Sequence, residues 1–241
     1  MYWFYRPLLD SVPIISFIAV LVTYALFREL RTLPGTNLTN LSLSHLLVDL
    51  LYLATGYVEA KVTCSVIAIL LHYLFLVSLT WMPIMAFETW LVFSKILIQH
   101  RNRNKREKCL SLLGRTMLGW LPAFVFVIMC VALDQSNAVA FHYGGIKGCW
   151  INNSTANMFF FVVPVALSIS FNTVFFVLTV RAIRNTNKQT RRATHQTLNR
   201  KTAVVFLKIF TLTGFTWTFG ILRLWCRNTL NTHLSYSPLT F

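Results

Sequence analysis

Acidic side chains are nearly missing from this chain: seven Asp and Glu among 241 residues, with all charged types together at 12%. A soluble domain carries about 25% charge because its surface must be hydrated, so most of this surface faces something other than water. Disorder is excluded by the opposite excess, since 56% of the residues are hydrophobic. The sequence has no HExxH, no GxSxG, no Gly-rich phosphate loop and no paired carboxylates, so it offers nothing for catalysis and implies no cofactor. Its five cysteines form no CxxC and no Cys/His cluster, which argues against a metal site. The period-two alternation of a membrane barrel is lacking as well, as are internal repeats and low-complexity stretches.

What is present is a series of long apolar runs. Six of them, over about residues 8–27, 38–57, 66–93, 112–133, 158–180 and 204–224, approach the length of about 20 residues that crosses a bilayer as a helix. No small-residue cleavage site follows the first run at the right distance, so it reads as an anchor and not as a removed leader. The basic residues divide unevenly between the connections. Arg28 and Arg31 follow the first run. Lys95, Arg101, Arg103, Lys105, Arg106, Lys108 and Arg115 follow the third, and Arg181, Arg184, Lys188, Arg191, Arg192, Arg200 and Lys201 follow the fifth. The other side holds Arg6, Lys61, Lys147, Arg223 and Arg227. Positively charged loops stay in the cytosol, which puts the N-terminus outside, and after six crossings the C-terminus outside too. The net charge of +15 therefore speaks to membrane orientation and not to nucleic acid. The inner loops suit anionic lipid or an acidic protein partner, or they set orientation alone.

Cys64 and Cys149 both fall on the outer, oxidising side, where they either form a disulfide or remain two thiols. Cys109 lies on the cytosolic side among basic residues, a setting compatible with reversible acylation. In the second outer loop, Tyr143-Gly144-Gly145-Ile146 reads as a hairpin turn. Asn152 and Asn153 begin overlapping glycosylation sequons there, of which at most one is expected to be used. The sequons at Asn37 and Asn40 lie at a cytosolic helix end and are expected to stay unmodified. Ionisable groups inside the runs are costly and mark function by default. His45 and Asp49 share one helix face, as a structural pair or a proton relay. Glu88 and Lys208 both lie in the inner halves of their runs, as a latch between helices or as separately solvated ends. Pro83, Pro122 and Pro164 are candidate kinks, and Gly214 permits bending or close approach.

Read together, several segments resemble the secretin/adhesion (class B) G-protein-coupled receptors, and most of all their Methuselah-like branch. Thr36-Asn37-Leu38-Thr39-Asn40-Leu41-Ser42-Leu43-Ser44 is similar to the opening of that family's second helix. Ser78-Leu79-Thr80-Trp81-Met82-Pro83-Ile84-Met85-Ala86-Phe87-Glu88-Thr89-Trp90 is similar to the third, and Gly148-Cys149-Trp150-Ile151 resembles the second outer loop. Phe161, Pro164 and Asn172 fit the fifth helix. Lys208-Ile209-Phe210-Thr211-Leu212-Thr213-Gly214-Phe215-Thr216-Trp217-Thr218-Phe219-Gly220 fits the sixth. The resemblance implies a Cys64–Cys149 bridge and an outer ligand pocket bordered by Trp150, Trp217 and His72. It also implies a switch region around Glu88, Lys208 and Gly214, and a cytosolic face that meets a heterotrimeric G protein. Two positions depart from the family: Met85 stands where many members carry an acid, and Leu38 where they carry a His near the inner end of the second helix. The usual polar lock is therefore not carried over.

The expectation is an all-α membrane protein, a bundle of six transmembrane helices from a seven-helix receptor fold. A short outer N-terminus (1–7) precedes the bundle (8–225), and an outer tail (226–241) takes the place of the seventh helix. Its expected partners are a G protein, an unidentified extracellular ligand, membrane lipid and a full-length receptor, at the plasma membrane or retained in the endoplasmic reticulum. The alternatives are a small transporter or channel, and a non-signalling fragment that binds a full-length receptor.

Overall fold

The structure, a computed structural model, describes residues 2–27, 29, 33–94, 105–145 and 148–190. The chain divides into two compact units, Met1–Thr179 and Val180–Phe241; the packing below is that of the first, and of the second only the end of the last helix is described. Helix α1 spans Tyr2–Leu26, α2 Leu33–Ala54, α3 Lys61–Phe93 and α4 Lys105–Gln135. A short antiparallel pair follows, β1 (Tyr143–Gly145) with β2 (Gly148–Ile151). One turn of helix, α5 (Ser154–Asn157), then runs through a π turn at Met158–Val162 into α6 (Val163–Thr190).

Among the described residues, four stretches are long and apolar enough to cross a bilayer: Gly35–Tyr57, Lys61–Leu91, Leu113–Gln135 and Ser154–Ala182. The apolar part of α1, Val12–Leu26, is shorter. The expected sixth span, 204–224, lies outside the described residues. Helix ends also depart from the hydropathy boundaries. Residues 2–7, ahead of the first apolar run, belong to α1, and α2 begins at Leu33, ahead of its own run. Backbone bonding, not side-chain hydropathy, sets where a helix stops, and Pro34 suits a first turn, whose N–H groups need no intrahelical partner. Both α3 and α4 continue through their prolines, Pro83 and Pro122.

Lipid supplies no hydrogen bonds, so polar side chains on these helices turn back onto their own backbone. Ser16, Thr23, Thr39, Thr89, Ser170 and Thr173 each donate to the carbonyl four residues earlier. Large apolar side chains on α1, α4 and α6, among them Val12, Ile15, Leu118, Val125, Leu167 and Phe171, are exposed. By contrast α3 is the axis of the unit: half of its span is buried, against 17–22% for the other three. It packs against α2, α4 and both strands.

The approach of α4 to α3 is set by Gly119. A Cβ there would sit 2.4 Å from the Trp81 ring, so the indole of Trp81, itself fully buried, occupies the space a side chain would need. Thr80 Oγ1 donates to the Gly119 carbonyl at the same crossing. Next to it, Trp120 Nε1 donates to Asn40 Oδ1 at 3.1 Å, joining α4 to α2.

Candidate functional site

Two groups of residues sit at opposite ends of α3. Cys64 and Glu88 are separated along it by about 36 Å, taking 1.5 Å per residue.

At the first end, Cys64 and Cys149 are joined in a disulfide, with Cα atoms 4.8 Å apart. The bridge draws β2 across the start of α3, and β1 is fastened beside it. Ser65 Oγ donates to the Tyr143 carbonyl at 2.7 Å. Gly144 takes φ +70° and lies so close to the backbone of Cys64 and Ser65 that a Cβ would come within 2.5 Å of it; only glycine meets both conditions. Of the residues read from sequence as the turn, Tyr143-Gly144-Gly145-Ile146, the first three are thus the first strand of the hairpin, because this backbone must lie flat on α3, and Ile146 lies outside the described residues. Asp134 at the end of α4 shapes the approach to the hairpin, its Oδ1 accepting from the Phe141 amide at 2.8 Å.

Beneath the hairpin, His72 is fully buried. Its Nε2 lies 3.1 Å from the Phe160 carbonyl and its Nδ1 3.0 Å from the Tyr143 hydroxyl. A carbonyl only accepts, so Nε2 carries the proton; in the neutral ring Nδ1 then accepts from the Tyr143 O–H, a tautomer assigned from its partners. Burial holds the Tyr143 phenol above its ordinary range, with the neighbouring Cys130 and Asp134 adding to the effect, so the hydroxyl keeps the proton it donates. The Phe160 carbonyl is in the π turn, whose wider winding loosens the bonding along the axis. Aromatic rings close the remaining sides: Trp150, Phe161 and Phe126 all meet His72 edge-on. Trp150 also meets Phe75 and Phe161 edge-on and is steered by a 3.0 Å bond from its Nε1 to Asn157 Oδ1.

At the other end, Glu88 is held from two helices. Arg115 of α4 pairs with its Oε1 at 2.7 Å, and Asn37 of α2 donates to its Oε2. Asn37 is buried and Asn40 is bonded to Trp120, so both of these sequon asparagines have packing partners. Between the two ends α6 is fastened to α3 by Ser168 Oγ, which donates to the Leu79 carbonyl at 2.9 Å. Near this level Trp81 Nε1 and Asn172 Oδ1 are buried with no hydrogen-bond partner among the described residues.

Of the residues singled out in the sequence, the structure brings Cys64 to Cys149 and His72 to Trp150. Trp217, Lys208 and Gly214 lie outside the described residues. Glu88 is paired with Arg115 and Asn37, and His45 Nδ1 donates to the Leu41 carbonyl at 3.1 Å. Asn152 and Asn153 sit together after β2, with Asn153 capping α5. Sequence reasoning missed Tyr143, Asn37 and Arg115 as site residues. In the sequence Arg115 reads only as a loop charge, Tyr143 as part of a turn and Asn37 as a sequon. No local pattern marks the π turn.

The Cys64–Cys149 bond between the third helix and the hairpin is the one that the resemblance to the secretin/adhesion receptors implies. The profile described as "7 transmembrane receptor (Secretin family)" matches residues 10–241, and the chain belongs to this family. It is therefore an integral membrane protein and a class B-type G-protein-coupled receptor by descent. Similar proteins include Adhesion G-protein coupled receptor G6 of Danio rerio, 30% identical over 218 residues and covering 84% of this chain. Adhesion G protein-coupled receptor E2 of Homo sapiens is 28% identical over 221 residues, 88% of this chain. Adhesion G protein-coupled receptor L1 of Mus musculus is 26% identical over 202 residues, 83% of this chain. The matches span only 17%, 25% and 13% of those three proteins.

Proposed function

We propose that this chain is the signalling core of a cell-surface receptor: an extracellular ligand engages its outer end, and the cytosolic ends of its helices activate a heterotrimeric G protein. The observation that carries this reading is the single helix α3, which is bonded to the outer hairpin through Cys64, Ser65 and His72 and to two other helices at Glu88. A helix held at both ends transmits a displacement better than one held only by lipid-like packing. The outer ligand pocket is bordered by Trp150, with the buried His72 supporting that ring from beneath. The inner switch is Glu88 with Arg115 and Asn37. The segment following Val180 meets the G protein, and the basic inner loops rest on anionic lipid.

The test is nucleotide exchange on co-expressed G-protein heterotrimers in membranes carrying this chain. The expected result is exchange above that of empty membranes, lost in Cys149→Ser and raised in Glu88→Gln. Exchange at the empty-membrane level with every Gα class, from protein shown to be folded by its thermal transition, would sink the reading.

A further inference from the structure

The second outer loop carries two overlapping acceptor sequences, Asn152-Asn153-Ser154 and Asn153-Ser154-Thr155. They differ in how the fold uses their asparagines. Asn153 has both amide atoms engaged. Its Oδ1 accepts from the backbone N–H groups of Thr155 and Ala156, at 3.0 and 3.3 Å, and so caps α5. Its Nδ2 donates to the Ala140 carbonyl at 2.6 Å, tying the helix start back to the segment that leads into β1. Asn152 makes one bond, from Nδ2 to the His142 carbonyl at 3.1 Å, and none of the described residues donates to its Oδ1.

The chemistry of attachment makes that difference decisive. The Nδ2 nitrogen forms a bond to C1 of a sugar as the C1–oxygen bond to a polyprenyl pyrophosphate carrier breaks. The pyrophosphate leaves with the electron pair, and Nδ2 gives up one proton to a base of the transferase. The product is a secondary amide, which is planar and trans, so C1 lies on the same side as Oδ1. At Asn153 that side holds the first backbone amides of α5, and a sugar would enter the turn that the side chain caps. At Asn152 the same side meets no described donor, and the remaining N–H can keep its bond to His142.

We infer that Asn152 is the N-glycosylated residue of this loop and that Asn153 is retained, unmodified, as a helix cap. This rests on the outer, lumenal placement of the loop, which is tested separately below. The hydroxyl positions separate the two sequences without altering either asparagine: Ser154→Ala destroys only the Asn152 sequence, and Thr155→Ala destroys only the Asn153 sequence. The full chain, produced in a glycosylating eukaryotic cell and extracted in mild detergent, is expected to show one mobility step removed by peptide-N-glycosidase. That step should persist in Thr155→Ala and vanish in Ser154→Ala and Asn152→Gln. Release by the glycosidase should leave aspartate at position 152 in peptide mass spectra, with Asn153 unchanged. A step that survives Ser154→Ala and vanishes in Thr155→Ala overturns the assignment, as does aspartate at 153.

Orientation is read from Glu59→Cys in sealed microsomes, scored as label gained over the parent chain. Protection from an impermeant maleimide until detergent is added puts the outer connections in the lumen. An unshifted parent with protected Glu59→Cys overturns the glycan alone. An unshifted parent whose Glu59→Cys labels without detergent overturns the orientation, and the glycan with it.

Discussion

The two ends of α3 are held by different physics. The outer end is covalent and fully bonded: a disulfide, a serine on a strand carbonyl, and a buried histidine with both nitrogens occupied inside a ring of aromatics. The inner end depends on one carboxylate shared between an arginine and an asparagine, in a place where Arg115 is still partly open to solvent. A bond that must be broken chemically keeps one arrangement. A charge pair exchanges partners at modest cost, because an alternative donor recovers most of the energy. The contrast teaches where rearrangement is affordable in this bundle: the inner end can change partners while the outer end keeps its shape. Trp81 Nε1 and Asn172 Oδ1 extend the contrast, for these two buried atoms find no partner among the described residues.

Six substitutions, two of them companions to the other four, test that contrast. Cys149→Ser should have the largest effect, about 4 kcal/mol, because it releases a loop closed over 85 positions. A thermal transition in detergent that moved less than that of any inner-end variant would reverse the comparison. Gly119→Ala should cost about 2 kcal/mol by forcing the Trp81 ring aside, whereas Gly114→Ala, with open space around its Cβ position, should be neutral or stabilising. Equal transitions for the two would show that α4 does not depend on that crossing. Glu88→Gln should cost about 1.5 kcal/mol by leaving Arg115 without its counter-charge. Combining it with Arg115→Gln should cost less than the two single changes added together, so additive losses would mean that the pair is not coupled. Tyr143→Phe should be smallest, about 1 kcal/mol, since the ring still packs while Nδ1 of His72 loses its donor. A loss as large as that of Cys149→Ser would mean that the hydroxyl, not the disulfide, is what fastens the hairpin.

Much of this architecture was legible in the chain because lipid imposes a single strong rule. Apolar runs near the length of a bilayer had to be helices, and α2, α3, α4 and α6 lie where those runs are. Cys64 and Cys149 were legible because orientation by charge put both on one side, and because the residues around them resemble a family that bonds them. Glu88 was found as an ionisable group inside a span, but its partners were not. Asn37 looked like a sequon and Arg115 like one of many loop charges, and only the crossing of α2 and α4 on α3 turns them toward one carboxylate. The hairpin was placed but its strand was misread as its turn, since Tyr143-Gly144-Gly145 has turn composition and strand geometry. Glycine is needed there to lie on α3, a reason that three-dimensional contact supplies and composition does not.

The π turn at Met158–Val162 has a consequence for how this chain tolerates change. One residue added to a helical turn advances everything beyond it by about 100° around the axis. The stretch that carries Asn157 and steers Trp150 therefore keeps a phase of its own, separate from the stretch that carries Ser168 and Asn172. Removing one residue within the turn would force both onto a common phase and swing one set of neighbours out of alignment. Point changes on the hairpin side of the turn leave the register of Ser168 and Asn172 untouched.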